Sequence, residues 1–201
     1  MASPKLTPQE QKALEDLIGS GIENSIQAMA KLYRENWSIS SSSFRGGAPQ
    51  DFYSTFKDGG EEEAGVYFSV QQDVPISFLI IFPRNSIQSL VDTLGKKHKA
   101  SLGTPLKMEE VVLGEVGNIL VNSFLGKLSD SFARPFLTST PHFVRGPKRT
   151  LLDATLTSLE KPKDQVLMAH VHMFSDRLSA DCDFLSIFNS EFIQKLIKTY
   201  L

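Results

Sequence analysis

Apolar residues recur every three to four positions over two long stretches of the chain, which is the spacing of one buried helix face. The first stretch runs from Thr7 to about Glu35 and the second from Met108 to Ser129. Glu115, Asn118 and Asn122 share the polar face of the second stretch, because positions three and four apart lie on one side of a helix. The apolar face of the second stretch consists of Val112, Val116, Ile119, Leu120, Phe124 and Leu128. The pattern therefore predicts two long amphipathic helices.

Shorter apolar stretches between glycine and proline residues predict strands. The first long helix is followed by a strand candidate, an irregular connection, two strands and a short helix, at Trp37–Phe44, Arg45–Gly60, Gly65–Gln71, Ile76–Phe82 and Asn85–Leu94. The second is followed by a strand candidate, a longer connection, two strands and a closing helix. The three strands of this half are predicted at Arg134–His142, Gln165–Phe174 and Leu178–Phe188, and the closing helix at Ser190–Leu201.

The two halves of the chain also share a sequence repeat at an offset of 106 residues. Eight residues are identical between the aligned segments FLIIFPRNSIQSLVDTL and FLSIFNSEFIQKLIKTY, which begin at Phe78 and Phe184. Both halves run helix, strand, strand, strand, helix. We therefore predict an α+β fold of two units related by pseudo-twofold symmetry, with long helices packed on an antiparallel sheet. The units, about 7–95 and about 105–201, would form a single domain over residues 1–201.

Composition and charge narrow the function classes. The apolar and charged fractions, 41% and 22%, are those of an ordinary globular protein, and a net charge of −2 gives no reason to expect nucleic-acid binding. Apolar runs such as Phe78–Phe82 are too short to span a bilayer, so we expect no membrane insertion. Without the apolar core of a signal peptide, and with Cys182 as the single cysteine, the chain is expected in the reducing cytoplasm.

The segment GEVGNIL in the second long helix places Glu115 three residues before Asn118, and Pro141 follows Asn118 with 22 residues between. With the repeat, this pattern resembles the CheC/CheX/FliY phosphatases of bacterial chemotaxis, most closely CheC. The motif of that family has an acidic residue or serine four positions before the glutamate, where this chain has Val111. The first long helix has Asp16 and Gly19 at the positions equivalent to the glutamate and the asparagine, and glycine has no side-chain amide. We expect one working site rather than two.

The resemblance implies that the protein hydrolyses the aspartyl phosphate of a CheY-type response regulator. Asn118 would orient the attacking water, and Glu115 would pair with a lysine of the regulator. Val111, Asn122 and Pro141 would contact the partner. The Mg²⁺ would belong to the regulator, so no cofactor of the protein's own is expected. The alternative is a non-catalytic module that docks a response regulator, a CheD-like partner or the flagellar switch. The incomplete motif of the first helix and Val111 in the second favour this alternative.

His170 and His172 are two residues apart in a predicted strand and therefore share one face, as two metal ligands could. A third ligand is not evident in the sequence. We therefore favour two histidines with satisfied hydrogen bonds and expect no metal site.

Overall fold

The computed structural model describes residues 7–34, 36–56, 62–70, 74–95, 105–159 and 166–200. Five helices, six strands and one short 3-10 helix follow one another within these residues. The helices are α1 (Pro8–Tyr33), α2 (Arg84–Leu94), α3 (Pro105–Ser131), α4 (Lys148–Ser158) and α5 (Ser190–Tyr200), and the 3-10 helix is Pro49–Thr55. The strands are β1 (Ser38–Gly47), β2 (Glu63–Ser69), β3 (Ile76–Phe82), β4 (His142–Gly146), β5 (Val166–Ser175) and β6 (Ala180–Asn189).

All six strands form one antiparallel sheet in the order β1-β5-β6-β3-β2-β4. Exchanging β1 with β4, β2 with β5 and β3 with β6 returns the same order read from the other edge. At the centre, Leu79 of β3 lies opposite Leu185 of β6, and these two leucines are equivalent residues of the sequence repeat. A pseudo-twofold axis therefore passes between β3 and β6. The predicted fold class is confirmed.

The long helices α1 and α3 cross on one face of the sheet and approach each other closely. A Cβ atom built on Gly21 would lie 2.7 Å from the ring of Phe124, so the glycine makes room for the phenylalanine. Ser25 Oγ donates a hydrogen bond of 2.7 Å to the carbonyl oxygen of Leu120. Asn24 Nδ2 donates one of 2.6 Å to the carbonyl oxygen of Ser123, 99 residues further along the chain.

These contacts are reciprocal. Gly21 and Leu120 are also 99 residues apart, as are Ser25 and Phe124. Phe124 of α3 packs on Gly21 of α1. In the same way Ser25 of α1, the equivalent of Phe124, bonds to Leu120 of α3, the equivalent of Gly21. Such exchange of partners is the property of a twofold contact. The α1–α3 crossing therefore aligns the two helices at an offset of 99 residues, and this offset pairs Asp16 with Glu115 and Gly19 with Asn118.

The first turn of α1 is closed by a capping box between Thr7 and Glu10. The backbone N–H of Glu10 donates to Thr7 Oγ1 at 3.2 Å, and the backbone N–H of Thr7 donates to Glu10 Oε2 at 2.8 Å. Two donors that the helix leaves without partners are satisfied in this way. The predicted apolar stripe of α3 is likewise buried, except that Ile119 is only partly buried.

A second layer, on the opposite face of the sheet, is absent from the sequence-based prediction. It consists of α4 and the 3-10 helix, whose Phe52, Leu151 and Leu156 pack on Leu79 and Leu185. The irregular connection predicted for Arg45–Gly60 is therefore wrong in part, since β1 continues to Gly47 and the 3-10 helix follows it. The longer connection predicted after His142 holds α4. Apolar residues at 151, 152, 156 and 159 already had helical spacing.

The strand predicted at Arg134–His142 is also misplaced. Strand β4 begins only at His142, the last residue of this range, and among the residues before it Thr138 makes a bridge, to Val70. Pro135 and Pro141 have no N–H to donate to a ladder, so regular pairing starts after the second proline. Strand β3 has the predicted bounds, and the other elements differ from the prediction by at most three residues at their described ends. The predicted ends at Glu35, Gln71, Gln165 and Leu201, and most of the predicted boundary between the halves, lie outside the described residues.

Helix α3 is long and apolar enough to cross a membrane by length and composition, over Lys107–Ser131. Of its apolar window, 56% is buried within the protein. Its packing against both α1 and β2 explains this apolar composition, because a helix that contacts the core on more than one side has a broad apolar face.

The α1–α3 crossing gives a test of the fold with two glycines of one helix. Gly21→Ala forces a methyl group into the Phe124 ring, and we expect it to lower the free energy of unfolding by about 1–3 kcal/mol. Gly19→Ala meets no atom within 4 Å, and we expect it to raise that free energy by up to about 1 kcal/mol, because alanine favours the helix. Urea denaturation measures both. Equal stability of the two variants would contradict the described crossing.

Candidate functional site

The outward face of α3 carries the polar residues that the sequence singles out. Glu115, Asn118 and Asn122 are all exposed, whereas Val112, Val116 and Leu120 between them are buried. The helical period separates the two sets, because one stripe of α3 is required by the core and the other remains at the surface. The structure thus brings the predicted catalytic pair and Asn122 together on one solvent-facing surface.

Two hydrogen bonds link the amide groups on this face to a neighbouring segment. Asn122 Nδ2 donates to Asn118 Oδ1 at 2.7 Å. Thr138 Oγ1 in turn donates to Asn122 Oδ1 at 3.3 Å. The Asn118 amide is therefore part of a chain of three side chains. The contact from Asn122 uses one lone pair of Oδ1, and an amide oxygen has a second lone pair for a ligand.

The segment from Thr138 to Pro141 runs beside α3 and is fixed to the sheet. Its Ser139 exchanges two hydrogen bonds with Ser69 of β2: Ser139 N–H donates to the Ser69 carbonyl oxygen at 2.8 Å, and Ser69 N–H donates to Ser139 Oγ at 3.2 Å. Pro141 is exposed and sits over Gly114, where a built Cβ atom would lie 3.6 Å from the proline ring. Pro141 therefore lies at the border of the α3 surface, one turn before Asn118.

Val111 is half-buried and precedes Glu115 by one turn of α3. Its side chain has no polar atom, so this end of the surface lacks the hydrogen-bonding group that the family motif places there. Gly117 faces the opposite way, and a Cβ atom there would lie 3.0 Å from the Phe68 ring of β2. Close approach of the sheet therefore explains this mid-helix glycine.

The equivalent face of α1 has a different character. Asp16 and Gly19 are exposed, and no atom lies within 4 Å of a Cβ built on Gly19. An open groove of about 310 Å³ runs between this part of α1 and β1, and its lining includes Glu15, Gly19 and Ser42. The amide of Asn24 is used by the backbone of α3. The α1 copy therefore has no amide at the position of Asn118.

Comparison with solved structures gives the fold group. The structure is similar to that of FliY from Thermotoga maritima, with a TM-score of 0.72 and 14% sequence identity over 97% of both chains. It is also similar to FliM in the FliM–SpeE complex from H. pylori (TM-score 0.68, 8% identity, 96% of this chain and 95% of that one). For CheX from Desulfovibrio desulfuricans the TM-score is 0.55 at 8% identity, with coverage of 85% and 97%.

The chain has the CheC/CheX/FliY fold. This fold is shared with FliM middle domains, such as that of Vibrio alginolyticus FliM. No protein-family model and no curated protein sequence matches the chain. The resemblance drawn from Glu115, Asn118 and the repeat is therefore confirmed at the level of the fold, and its closer assignment to CheC stays a prediction.

Thr138 also belongs to this site, and its role was not predicted from the sequence. It lies in a segment predicted as a strand, where alternating side chains gave it no special role. At the offset of 99 residues, Thr138 is equivalent to Ile39 of β1 in the other half. The available signal was this difference between the repeats: Thr138 is polar, whereas the equivalent Ile39 is apolar and exposed.

A second polar cluster lies on the α4 face of the sheet. His170 Nε2 and His172 Nδ1 each lie 2.9 Å from Asp183 Oδ1, and Lys148 Nζ lies 2.8 Å from Asp183 Oδ2. Lys148 also approaches Glu63 Oε1, at 3.7 Å. The histidines therefore have hydrogen-bond partners, as favoured above. Among the described residues no group of three or more His, Cys, Asp or Glu side chains is arranged to hold a metal ion.

This cluster fixes the charge of its central carboxylate. Burial alone would raise the pKa of Asp183, but hydrogen bonds from His170 and Lys148, together with the positive charge of Lys148, hold that pKa well below its usual range. Lys148 is the first residue of α4. The ion pair therefore fastens the start of α4 to β6.

The low pKa of Asp183 predicts a stability effect with a defined pH dependence. Its ionised form stabilises the fold fully above the unfolded pKa of about 4, and this contribution is lost as the pH falls toward the lower folded pKa. Asp183→Asn should therefore lower the free energy of unfolding by roughly 1–3 kcal/mol at pH 7, and by progressively less below pH 4. Denaturation at several pH values measures the difference. Asp176→Asn in an exposed turn is the control. A deficit independent of pH would contradict the stabilising role of the ionised Asp183 carboxylate.

Proposed function

We propose that the protein is a phosphatase that hydrolyses the aspartyl phosphate of a CheY-type response regulator, with one active surface on α3. One observation carries the proposal: an exposed amide, Asn118, is held by a neighbouring amide on the same helix face as the exposed carboxylate of Glu115. The CheC/CheX/FliY fold and the spacing of Glu115, Asn118 and Pro141 support it.

In this proposal Asn118 aligns the attacking water. Phosphoryl transfer depends mainly on in-line positioning and on neutralisation of charge, so a neutral group that forms directed hydrogen bonds is sufficient. The second lone pair of Asn118 Oδ1 can accept a hydrogen bond from the attacking water, and the Nδ2 hydrogens can donate hydrogen bonds to phosphoryl oxygen atoms. The reaction breaks the bond between phosphorus and the aspartyl oxygen, and the water oxygen forms the new bond to phosphorus.

Glu115 has a different role, which is to orient the regulator. Its exposed carboxylate would form a charge-assisted hydrogen bond with a lysine at the regulator's phosphorylation site. Closing the interface removes water from this pair, so loss of one partner leaves the other charge buried and uncompensated. The phosphorylated aspartate and its Mg²⁺ would both come from the regulator. The proposal therefore assigns this chain no cofactor of its own and a cytoplasmic location beside its partner.

A second candidate function is a binding module without hydrolysis, which would dock a response regulator, a CheD-like protein or the flagellar switch. Two observations favour it. Val111 provides no polar group at the first position of the motif, and the fold is shared with FliM, whose H. pylori structures include complexes with FliG and with SpeE. Hydrolysis by the wild-type protein distinguishes the two candidates directly.

The proposal predicts that Asn118→Ala lowers the rate of phosphate loss about 100-fold while binding of the regulator is retained. The measurement is the decay of phosphate on a purified CheY-type regulator, with the binding constant determined separately on the regulator activated by beryllofluoride. Asn85→Ala, an exposed asparagine at the start of α2, is the matched control. Unchanged hydrolysis by Asn118→Ala would contradict the role of the amide.

Glu115→Ala completes the same experiment, because it should weaken binding roughly tenfold and lower hydrolysis as well. Glu110→Ala, at an exposed position on another side of α3, should change neither. A wild-type protein that binds the regulator but leaves its decay unchanged would overturn the phosphatase and favour the docking module.

A further inference from the structure

We propose that Asn122 and Thr138 are positioning residues, which hold the Asn118 amide in its working orientation by a hydrogen-bonded chain anchored in the sheet. This inference rests on the proposed function and deepens it. It also changes the expected role of Asn122, from a residue that contacts the partner to one that acts through Asn118.

The chain is defined by its geometry. Asn122 follows Asn118 by one turn of α3, so both amides emerge from the same face. At 2.7 Å the bond from Asn122 Nδ2 to Asn118 Oδ1 is short for a bond between neutral amides. Thr138 Oγ1 then bonds to Asn122 Oδ1 at 3.3 Å. Each amide thus has its oxygen engaged by a donor, which fixes which end of each group points toward its neighbour.

The far end of the chain is held by backbone pairing. Thr138 forms a bridge with Val70, and the next residue, Ser139, bonds with Ser69 of β2. Thr138 therefore cannot move relative to the sheet without breaking these bonds. Helix α3 is fixed to the same strand by the contact of Gly117 with Phe68. The Asn118 amide is accordingly held between two elements that are both attached to β2.

This support matters because an exposed asparagine is otherwise a loose group. Its terminal torsion angle is broad and roughly two-fold, so the amide oxygen and nitrogen exchange places readily. Ordering such a side chain around the attacking water in the transition state costs free energy, and a group that is already ordered avoids this cost. Val111, two turns before Asn118, has no polar atom to contribute. Asn122 and Thr138 give this amide a support that continues to the sheet.

The test compares Thr138→Val with Thr140→Val in the same segment. Valine replaces the hydroxyl group at similar volume, and Thr140 is exposed and outside the chain of hydrogen bonds. We expect Thr138→Val and Asn122→Ala each to lower the turnover of phosphorylated regulator roughly fivefold to tenfold, with the binding constant unchanged. Thr138→Ser keeps the hydroxyl group and should keep most of the activity. Thr140→Val should match the wild-type protein.

A second arm shows whether Asn122 acts through Asn118. In an Asn118→Ala background, Asn122→Ala should produce no further loss, because the group that it positions is gone. An additional fivefold to tenfold loss would overturn the inference and give Asn122 an independent role. Full activity of Asn122→Ala in an otherwise wild-type protein that hydrolyses the regulator would overturn it as well.

A third measurement separates failure of this inference from failure of the proposed function. Side-chain amide NMR of the free protein reports the order of the Asn118 NH₂ group without any regulator. We expect this group to be rigid in the wild type and in Thr140→Val, and mobile in Asn122→Ala. If the wild-type protein hydrolyses nothing, a rigid amide that loosens in Asn122→Ala still supports the positioning role. An amide equally mobile in all three proteins would overturn it.

Discussion

The close crossing of α1 and α3 is the contact on which the rest of the structure depends. Only glycine at position 21 admits the Phe124 ring at the observed distance, and Ser25 bonds to the α3 backbone at the equivalent place on the other side of the axis. The Phe124 ring also contacts Phe78 and Phe184, which belong to the two central strands. One aromatic residue thus joins both long helices to the middle of the sheet. The crossing therefore determines which stripe of each helix is buried and which faces solvent.

Because the crossing is nearly symmetric, the two exposed helix faces are equivalent in position but not in chemistry. The α3 face has Glu115, Asn118 and Asn122, with Pro141 at its border. The α1 face has Asp16 and Gly19 beside an open groove. Duplication of one unit followed by different substitutions in each copy accounts for this difference. The fold retains both helices because the core needs both, whereas the proposed chemistry needs only one.

Residues with periodic patterns or local signals were predicted well. The buried stripe of α3, the continuous strand Ile76–Phe82 and the repeat each have a local cause in the sequence. The exposed face of α3 was predicted for the same reason. The placement of β4 was missed, because Pro135 and Pro141 interrupt a stretch that is otherwise typical of a strand. Helix α4 has helical spacing at Leu151, Leu152 and Leu156, but this short pattern lies within the predicted connection.

Contacts between distant parts of the chain could not be predicted. The role of Thr138 depends on the segment 138–141 lying beside α3, and that depends on pairing with β2. The shared carboxylate of Asp183 depends in the same way on the register of β5 against β6. Sequence spacing named the two histidines but gave no indication of their acidic partner. The polar residues of each site could therefore be predicted from the sequence. The residues that support them could be identified only from the fold.

The proposed function requires that the α3 face, and not its symmetric counterpart on α1, engages a response regulator. Crosslinking from matched positions tests it most directly, since the single native cysteine, Cys182, is fully buried and leaves the background unreactive. A thiol-linked photocrosslinker is placed at position 118 in one protein (Asn118→Cys) and at position 19 in the other (Gly19→Cys). Each is then exposed to a CheY-type regulator activated by beryllofluoride. The proposed function predicts strong crosslinking from position 118 and none above background from position 19. Equal crosslinking from both positions, or crosslinking from position 19 alone, would contradict it.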